Sequence, residues 1–174
     1  MLDAPKELPT CAPPGDDNKP AASKSKRRAL ANKPIAALVY VNPGTYQIAF
    51  ASHATAVLFG RAPKLILTFK IVSMGSDFGK YVCRYYNVKK LRGRPGRGGW
   101  FEYSERSDVF REYCGLFHAP GPAGILMESF ENVIIEAEIG TCNTDRAQRQ
   151  IPEGAQYSRI IRLHRVVEGH VKGN

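Results

Sequence analysis

A mainly β domain is what this sequence predicts: an OB-like five-stranded barrel with one helix inserted after the third strand. Three observations carry that expectation. Period-two alternation of apolar residues recurs in five segments, the one strong helical stripe falls between the third and the fourth, and the connections are rich in glycine, proline and asparagine. Strand–strand–strand–helix–strand–strand is the element order of the OB-fold, a partly open Greek-key barrel.

Each element has its own justification. Ile35-Ala-Ala-Leu-Val-Tyr-Val41 is a short apolar run stopped by the turn tripeptide Asn42-Pro43-Gly44. It is expected to cover an exposed strand edge or to pair with a second protomer. Residues 45–58 form a long first strand in which Ile48 and Phe50 alternate with Gln47 and Ala49. In 64–72, Leu65, Leu67, Phe69 and Ile71 share one face, and the glycine-bearing segment 73–79 turns the chain into a third strand over 80–88. Ser107 is placed to cap a helix over 107–118 whose stripe is Val109, Phe110, Tyr113, Leu116 and Phe117. Pro120-Gly-Pro122 ends it. Residues 132–141 and 156–167 supply the last two strands, joined by a polar loop over 142–155.

The domain is expected to span 35–168, between a tail of 1–34 and a short C-terminal tail of 169–174. The first 34 residues hold six prolines, no aromatic residue and the basic run Lys24-Ser-Lys-Arg-Arg28, so they are expected to be disordered. The whole chain has 174 residues and is 43% hydrophobic, so the part after the tail is long enough and apolar enough for one core. No apolar run reaches the roughly 20 residues of a membrane span, and the N-terminus lacks the pattern of a secretory signal. Cys11, Cys83, Cys114 and Cys142 form no CxxC pair and the histidines are scattered, which argues for free thiols in a reducing cytoplasm and against zinc. No cofactor, small-molecule substrate or membrane partner is expected.

The charge distribution is more informative than its total. Of a net +9, residues 80–111 carry +6, whereas 112–174 carry −2. Within 80–103, seven basic residues (Lys80, Arg84, Lys89, Lys90, Arg92, Arg94, Arg97) interleave with six aromatic ones (Tyr81, Tyr85, Tyr86, Trp100, Phe101, Tyr103). Single-stranded nucleic acid presents a row of phosphates and the open faces of bases, so its binders combine cations with flat rings. Alternation places Lys80, Arg84 and Tyr86 on one face, and the cost of burying an arginine makes that the expected solvent face. Tyr81, Tyr85, Trp100 and Phe101 equally fit a structural role in the core or under the loop. Four glycines and three arginines in 92–99 suggest a flexible loop that orders on phosphates. Arg146 and Arg149 lie in the 142–155 loop, which in an OB-fold flanks the binding face of strands two and three together with the 59–63 loop.

Signatures of catalysis are missing: there is no P-loop, GxSxG or HExxH. Glu136 and Glu138 share a strand face without an accompanying Asp-x-Lys, so a solvated face explains them better than a metal-dependent nuclease. The expectation is a protein that is not an enzyme.

The succession LILTFKIVSMGSDFGKYVCRYYNV, SDVFREYCGLF, FENVIIEAEIGT and YSRIIRLHRV resembles small OB-like proteins of bacteriophage and integrative-element replication or recombination modules. The resemblance covers about residues 45–167 and is one of pattern. It implies a single-stranded DNA-binding protein with no catalytic residues. One departure is the C-terminus, Glu168-Gly-His-Val-Lys-Gly-Asn174, which lacks the acidic tip through which bacterial single-strand-binding proteins recruit partners.

The sequence therefore predicts a homo-oligomeric single-stranded DNA binder, with RNA as the other ligand it leaves open. The predicted site comprises Lys80, Arg84, Tyr86, Lys89, Lys90, Arg92, Arg94, Arg97, Trp100, Phe101, Arg146 and Arg149. The alternative is an inhibitor or interaction protein of a mobile element whose basic loop docks on a partner protein.

Overall fold

The computed structural model describes residues 39–58, 60, 62–145 and 147–169. The expected tails, 1–34 and most of 169–174, lie outside them. The main sheet is built from β1 (Gly44–Leu58), β2 (Ala62–Ile71), β3 (Tyr81–Asn87), β7 (Val133–Cys142) and β8 (Tyr157–Gly169). Between β3 and β7 come β4 (Lys90–Arg92), β5 (Gly96–Arg97), β6 (Trp100–Glu102) and the helix α1 (Asp108–Phe117). All five expected strands and the helix are present, with ends shifted by no more than two residues. The three short strands β4, β5 and β6 were not foreseen.

The main sheet runs β3-β2-β1-β7-β8, each neighbouring pair antiparallel. Its hydrogen bonding is open: among the described residues no ladder joins the edge strands β3 and β8. Where the sequence predicts an OB-like five-stranded barrel, the hydrogen bonding among the described residues is that of an open antiparallel sheet. β1 is long enough to serve two neighbours along one edge. Its first half, Gly44–Ala49, pairs with β7, and farther on Ala54 and Thr55 pair with β5.

Alternation explains the core. Leu65, Leu67, Phe69 and Ile71 of β2 pack with Ile48 of β1 and with Val133, Ile135, Ala137 and Ile139 of β7, all buried. One face of α1 closes over them with Val109, Tyr113, Leu116 and Phe117. Phe130, in a 3-10 turn over Met127–Phe130, sits among the rings of Phe50, Phe69, Tyr113 and Phe117, with centroids 4.8–6.2 Å apart. Such ring pairs add to the stability that burial supplies. Ser107 occupies the N-cap position without capping; its hydroxyl donates to the Ser104 carbonyl instead.

Two polar fastenings hold the sheet's margins. The buried Asp77 carboxylate accepts from Lys80 Nζ at 2.6 Å and from the Tyr46 hydroxyl at 3.1 Å, which pins the β2–β3 turn to β1. Residues 39–41 lie along β8: Ser158 N–H donates to the Val39 carbonyl at 2.9 Å, and Val41 N–H donates to Ser158 Oγ at 2.8 Å. The segment expected to cover an edge or meet a second protomer thus bonds to its own chain over 39–41; residues 35–38 fall outside the described part. No helix among the described residues is long and apolar enough to cross a membrane.

Candidate nucleic-acid interface

The expected basic–aromatic segment divides into two parts of different character. The first is β3. Its core-facing residues are Val82, Arg84 and Tyr86, opposite Phe69, Leu67 and Leu65 of β2. This inverts the expectation: the face carrying Arg84 is the inner one, and Tyr86 is only 2% exposed. Burial of the arginine is tolerated because α1 supplies a counter-charge. Arg84 forms a two-pronged ion pair with Glu112, its guanidinium lies 4.8 Å from the Tyr86 ring centroid, and Nη1 reaches the Ile160 carbonyl of β8 at 3.5 Å. The Tyr86 hydroxyl donates to Glu112 at 2.6 Å. Burial opposes the Arg84 charge, and Glu112 more than offsets it, so the guanidinium is held above its ordinary range. Burial, then Glu112, pushes the Tyr86 phenol well above its usual value.

Arg84 and Tyr86 therefore tie β3, α1 and β8 together and offer neither a free cation nor a stacking face. Lys80 is engaged as well, by Asp77 and the Tyr40 carbonyl. The ring that β3 does expose is Tyr81, which a face assignment based on Arg84 turns inward.

The second part, Lys89–Tyr103, is a folded hairpin and not the flexible loop expected of its glycines. Antiparallel pairing sets Lys90 opposite Glu102, Leu91 opposite Phe101 and Arg92 opposite Trp100. Opposed residues share a face and neighbours alternate. Leu91 and Phe101 consequently point inward and pack against the core. Phe101 is thus a structural residue, a correction to its expected role. Lys90, Arg92, Trp100 and Glu102 share the other face, where Trp100 is 76% exposed.

The tip of this hairpin is anchored to β1. Gly96 N–H donates to Thr55 Oγ1 at 3.3 Å and Gly98 N–H donates to the His53 carbonyl at 3.1 Å. Gly99 permits this approach, since a Cβ there would lie 2.0 Å from Thr55 Oγ1. Gly99 thus serves close packing, whereas Gly93, Gly96 and Gly98 supply the positive φ of the turn.

Electrostatically the hairpin remains unsatisfied. Arg92 Nε donates to Glu102 at 2.9 Å, but Lys89, Lys90, Arg94 and Arg97 are exposed and form no ion pair among the described residues. Glu102, the one acidic group on this face, was not anticipated; its position opposite Lys90 becomes visible only with the register. Arg92 holds its carboxyl below the usual range, assisted by Lys90 and Lys89. The carboxylate is thus an acceptor at neutral pH.

The 142–155 loop does not join this face. Cys142 lies beyond the Gly44 end of β1, whereas the hairpin meets β1 at Ala54, ten residues and on the order of 30 Å of strand away at about 3.3 Å per residue. Arg149 is exposed in a turn organised by Asp145, whose carboxylate accepts from the N–H groups of Ala147 and Arg149 at 2.7 and 2.9 Å. Arg146 lies outside the described residues. Among the described residues no cluster of three or more His, Cys, Asp or Glu is placed to hold a metal.

No protein-family model, no curated protein and no solved structure matches this chain.

Proposed function

We propose that this chain is an OB-like, non-enzymatic single-stranded DNA-binding protein of a phage or mobile-element replication or recombination module. The observation that carries the reading is the outer face of the β4–β6 hairpin, where an exposed tryptophan stands among cations with few internal partners. Bases stack on the indole, Arg92, Arg94, Arg97, Lys89 and Lys90 contact phosphates, and the inward Leu91 and Phe101 keep the platform fixed. The sheet order β3-β2-β1-β7-β8, with α1 between β3 and β7 in the chain, supports the OB-like assignment.

A labelled thirty-nucleotide dT strand, titrated by fluorescence anisotropy over a range of salt concentrations beside a duplex of equal length, tests the proposal. Tighter binding to the single strand is expected. Trp100→Ala should weaken it by about 1–3 kcal/mol, the value of one base–aromatic stack. Replacing Arg92, Arg94 and Arg97 together by alanine should flatten the plot of log K against log salt by about 2, at roughly 0.7 for each phosphate no longer neutralised. Equal affinity for duplex and single strand, indifferent to Trp100, overturns it.

The rival reading, a docking protein of a mobile element, rests in the sequence on the basic loop, and a second exposed region favours it as well. Met74 and Phe78 in the β2–β3 turn, Tyr81 at the start of β3 and Tyr40 are all exposed. Exposed apolar groups gathered in one region are a usual mark of protein partners. If the chain fails the anisotropy test, this is the surface to use as bait.

A further inference from the structure

We propose that the Trp100–Glu102–Arg92 face selects guanine among the bases of a single strand. The inference rests on the single-strand-binding reading above and adds a base preference to it.

The geometry is set by the hairpin register. Trp100 and Glu102 are two residues apart on β6 and share the outward face, so their side chains rise about 7 Å apart. A base lying on the indole covers that gap with half its width and one hydrogen bond of about 2.9 Å. Its edge then meets the Glu102 carboxylate. Arg92, directly across from Trp100, already donates to Glu102 Oε1, and Lys90 stands across from Glu102. Glu102 Oε2 has no hydrogen-bond partner among the described residues. The base edge therefore meets an acceptor pair flanked by donors.

Guanine is the base that complements this arrangement. Its Watson–Crick edge carries two adjacent donors, N1–H and the N2 amino group, beside the O6 acceptor. The donors face the two carboxylate oxygens and O6 faces Arg92 or Lys90. Adenine, cytosine and thymine each have a single donor group on that edge, so each makes only one of the two hydrogen bonds to the carboxylate that guanine makes. Single-stranded recognition modules read such edges on bases they have already stacked. The acid also has a cost, because a carboxylate on a phosphate-binding face repels the backbone it approaches, and a matching donor on the base adds to what Arg92 offsets. On a platform built only for phosphates it would be a liability.

The protein has a single tryptophan, so its fluorescence reports directly on this site. The experiment titrates the full chain with twelve-nucleotide strands of repeating TTG, TTA, TTC and TTT, following both quenching and anisotropy. Two further probes replace guanine in the TTG strand by inosine, which lacks the N2 amino group, and by 7-deazaguanine, which keeps the whole Watson–Crick edge. The TTG strand is expected to bind roughly fivefold to a hundredfold tighter than TTT, the range for one well-matched base contact. The 7-deazaguanine strand should retain that advantage and the inosine strand should lose it. Glu102→Gln should abolish the preference, so that TTG and TTT bind alike.

Three results overturn the proposal. If every strand quenches Trp100 with equal affinity, single-strand binding stands and the guanine preference is wrong. If guanine is preferred but inosine serves as well, or Glu102→Gln keeps the preference, the carboxylate only steadies the hairpin. If no strand quenches or binds, the single-strand reading beneath the proposal fails with it.

Discussion

The chain contains the same three-residue chemistry twice, with opposite outcomes. Arg84, Tyr86 and Glu112 form one arginine–aromatic–glutamate set, and Arg92, Trp100 and Glu102 form the other. In the first, the arginine and glutamate side chains are 16% and 14% exposed; in the second they are 68% and 31% exposed. The difference lies in what packs above them. α1 lies over the edge of β3 and delivers Glu112 to it, whereas among the described residues nothing covers the outer face of β4 and β6. In the first set every group has its partner inside the molecule. In the second an indole and several cations face solvent. Residue type alone does not mark a binding site; unspent bonding capacity does.

The comparison is broken most forcefully at the buried set. Glu112→Ala leaves Arg84 inside the fold without its counter-charge and removes the acceptor of the Tyr86 hydroxyl. Loss of one partner of a buried pair costs about 3 kcal/mol or more, because the remaining charge is stranded. Urea denaturation should show a clearly lower midpoint for Glu112→Ala and for Arg84→Ala. Arg92→Ala, in the exposed pair, should leave the midpoint within error while weakening the proposed DNA binding. An Arg84→Ala protein as stable as the parent would remove the distinction on which the comparison rests.

Gly99 joins the exposed set to the rest of the fold, and Gly99→Ala sharpens the contrast from that side. The new methyl group meets Thr55 Oγ1 and, at 3.1 Å, the Gly96 carbonyl. Overpacking of this kind costs about 1–3 kcal/mol, and lifting the hairpin from β1 should weaken the proposed DNA binding as well. The effect should depend on the Thr55 hydroxyl. In a double-mutant cycle with Thr55→Ala the two changes should cost less than their sum, since the second removes the atom with which the first collides. Strict additivity would show that the tip is free to move.

Much of the fold was legible because it rests on patterns that local sequence carries. Strands with period-two alternation and a helix with a clean apolar stripe announce themselves, and the chain order of the elements follows. What could not be read was set by partners distant in sequence. Arg84 looked like a solvent residue because Glu112, on an element 28 residues away, cancels its charge. The 92–99 glycines suggest flexibility, yet Gly99 lets the backbone approach Thr55, to which Gly96 N–H donates across 41 residues. Trp100 and Phe101 could not be told apart until the hairpin register sent one outward and the other to the core. Arg149 appeared to flank the basic segment because the loop was placed by fold analogy, whereas the β1 register puts it at the far end of that strand.

The smallest expected effect concerns proton linkage in the buried set. Burial and Glu112 raise the Tyr86 pKa in the folded protein, while in the unfolded chain the phenol titrates near its ordinary value of about 10. The folded state therefore holds this proton more tightly. Its contribution is fully present below about pH 10 and is lost as pH rises from there toward the folded pKa, because the unfolded state ionises first. Burial likewise raises Tyr85, so the parent should lose stability steeply above pH 10. Tyr86→Phe should be about 1–2 kcal/mol less stable at pH 7, having lost a hydrogen bond to a charged group, yet its stability should decline less steeply above pH 10. The two stability curves should thus converge as pH rises. Trp100 has no ionisable group, and Trp100→Ala should follow the parent curve throughout. Parallel parent and Tyr86→Phe curves would mean that the phenol ionises as freely in the folded protein as in the unfolded chain, and the buried set would no longer differ from the exposed one in the way its geometry requires.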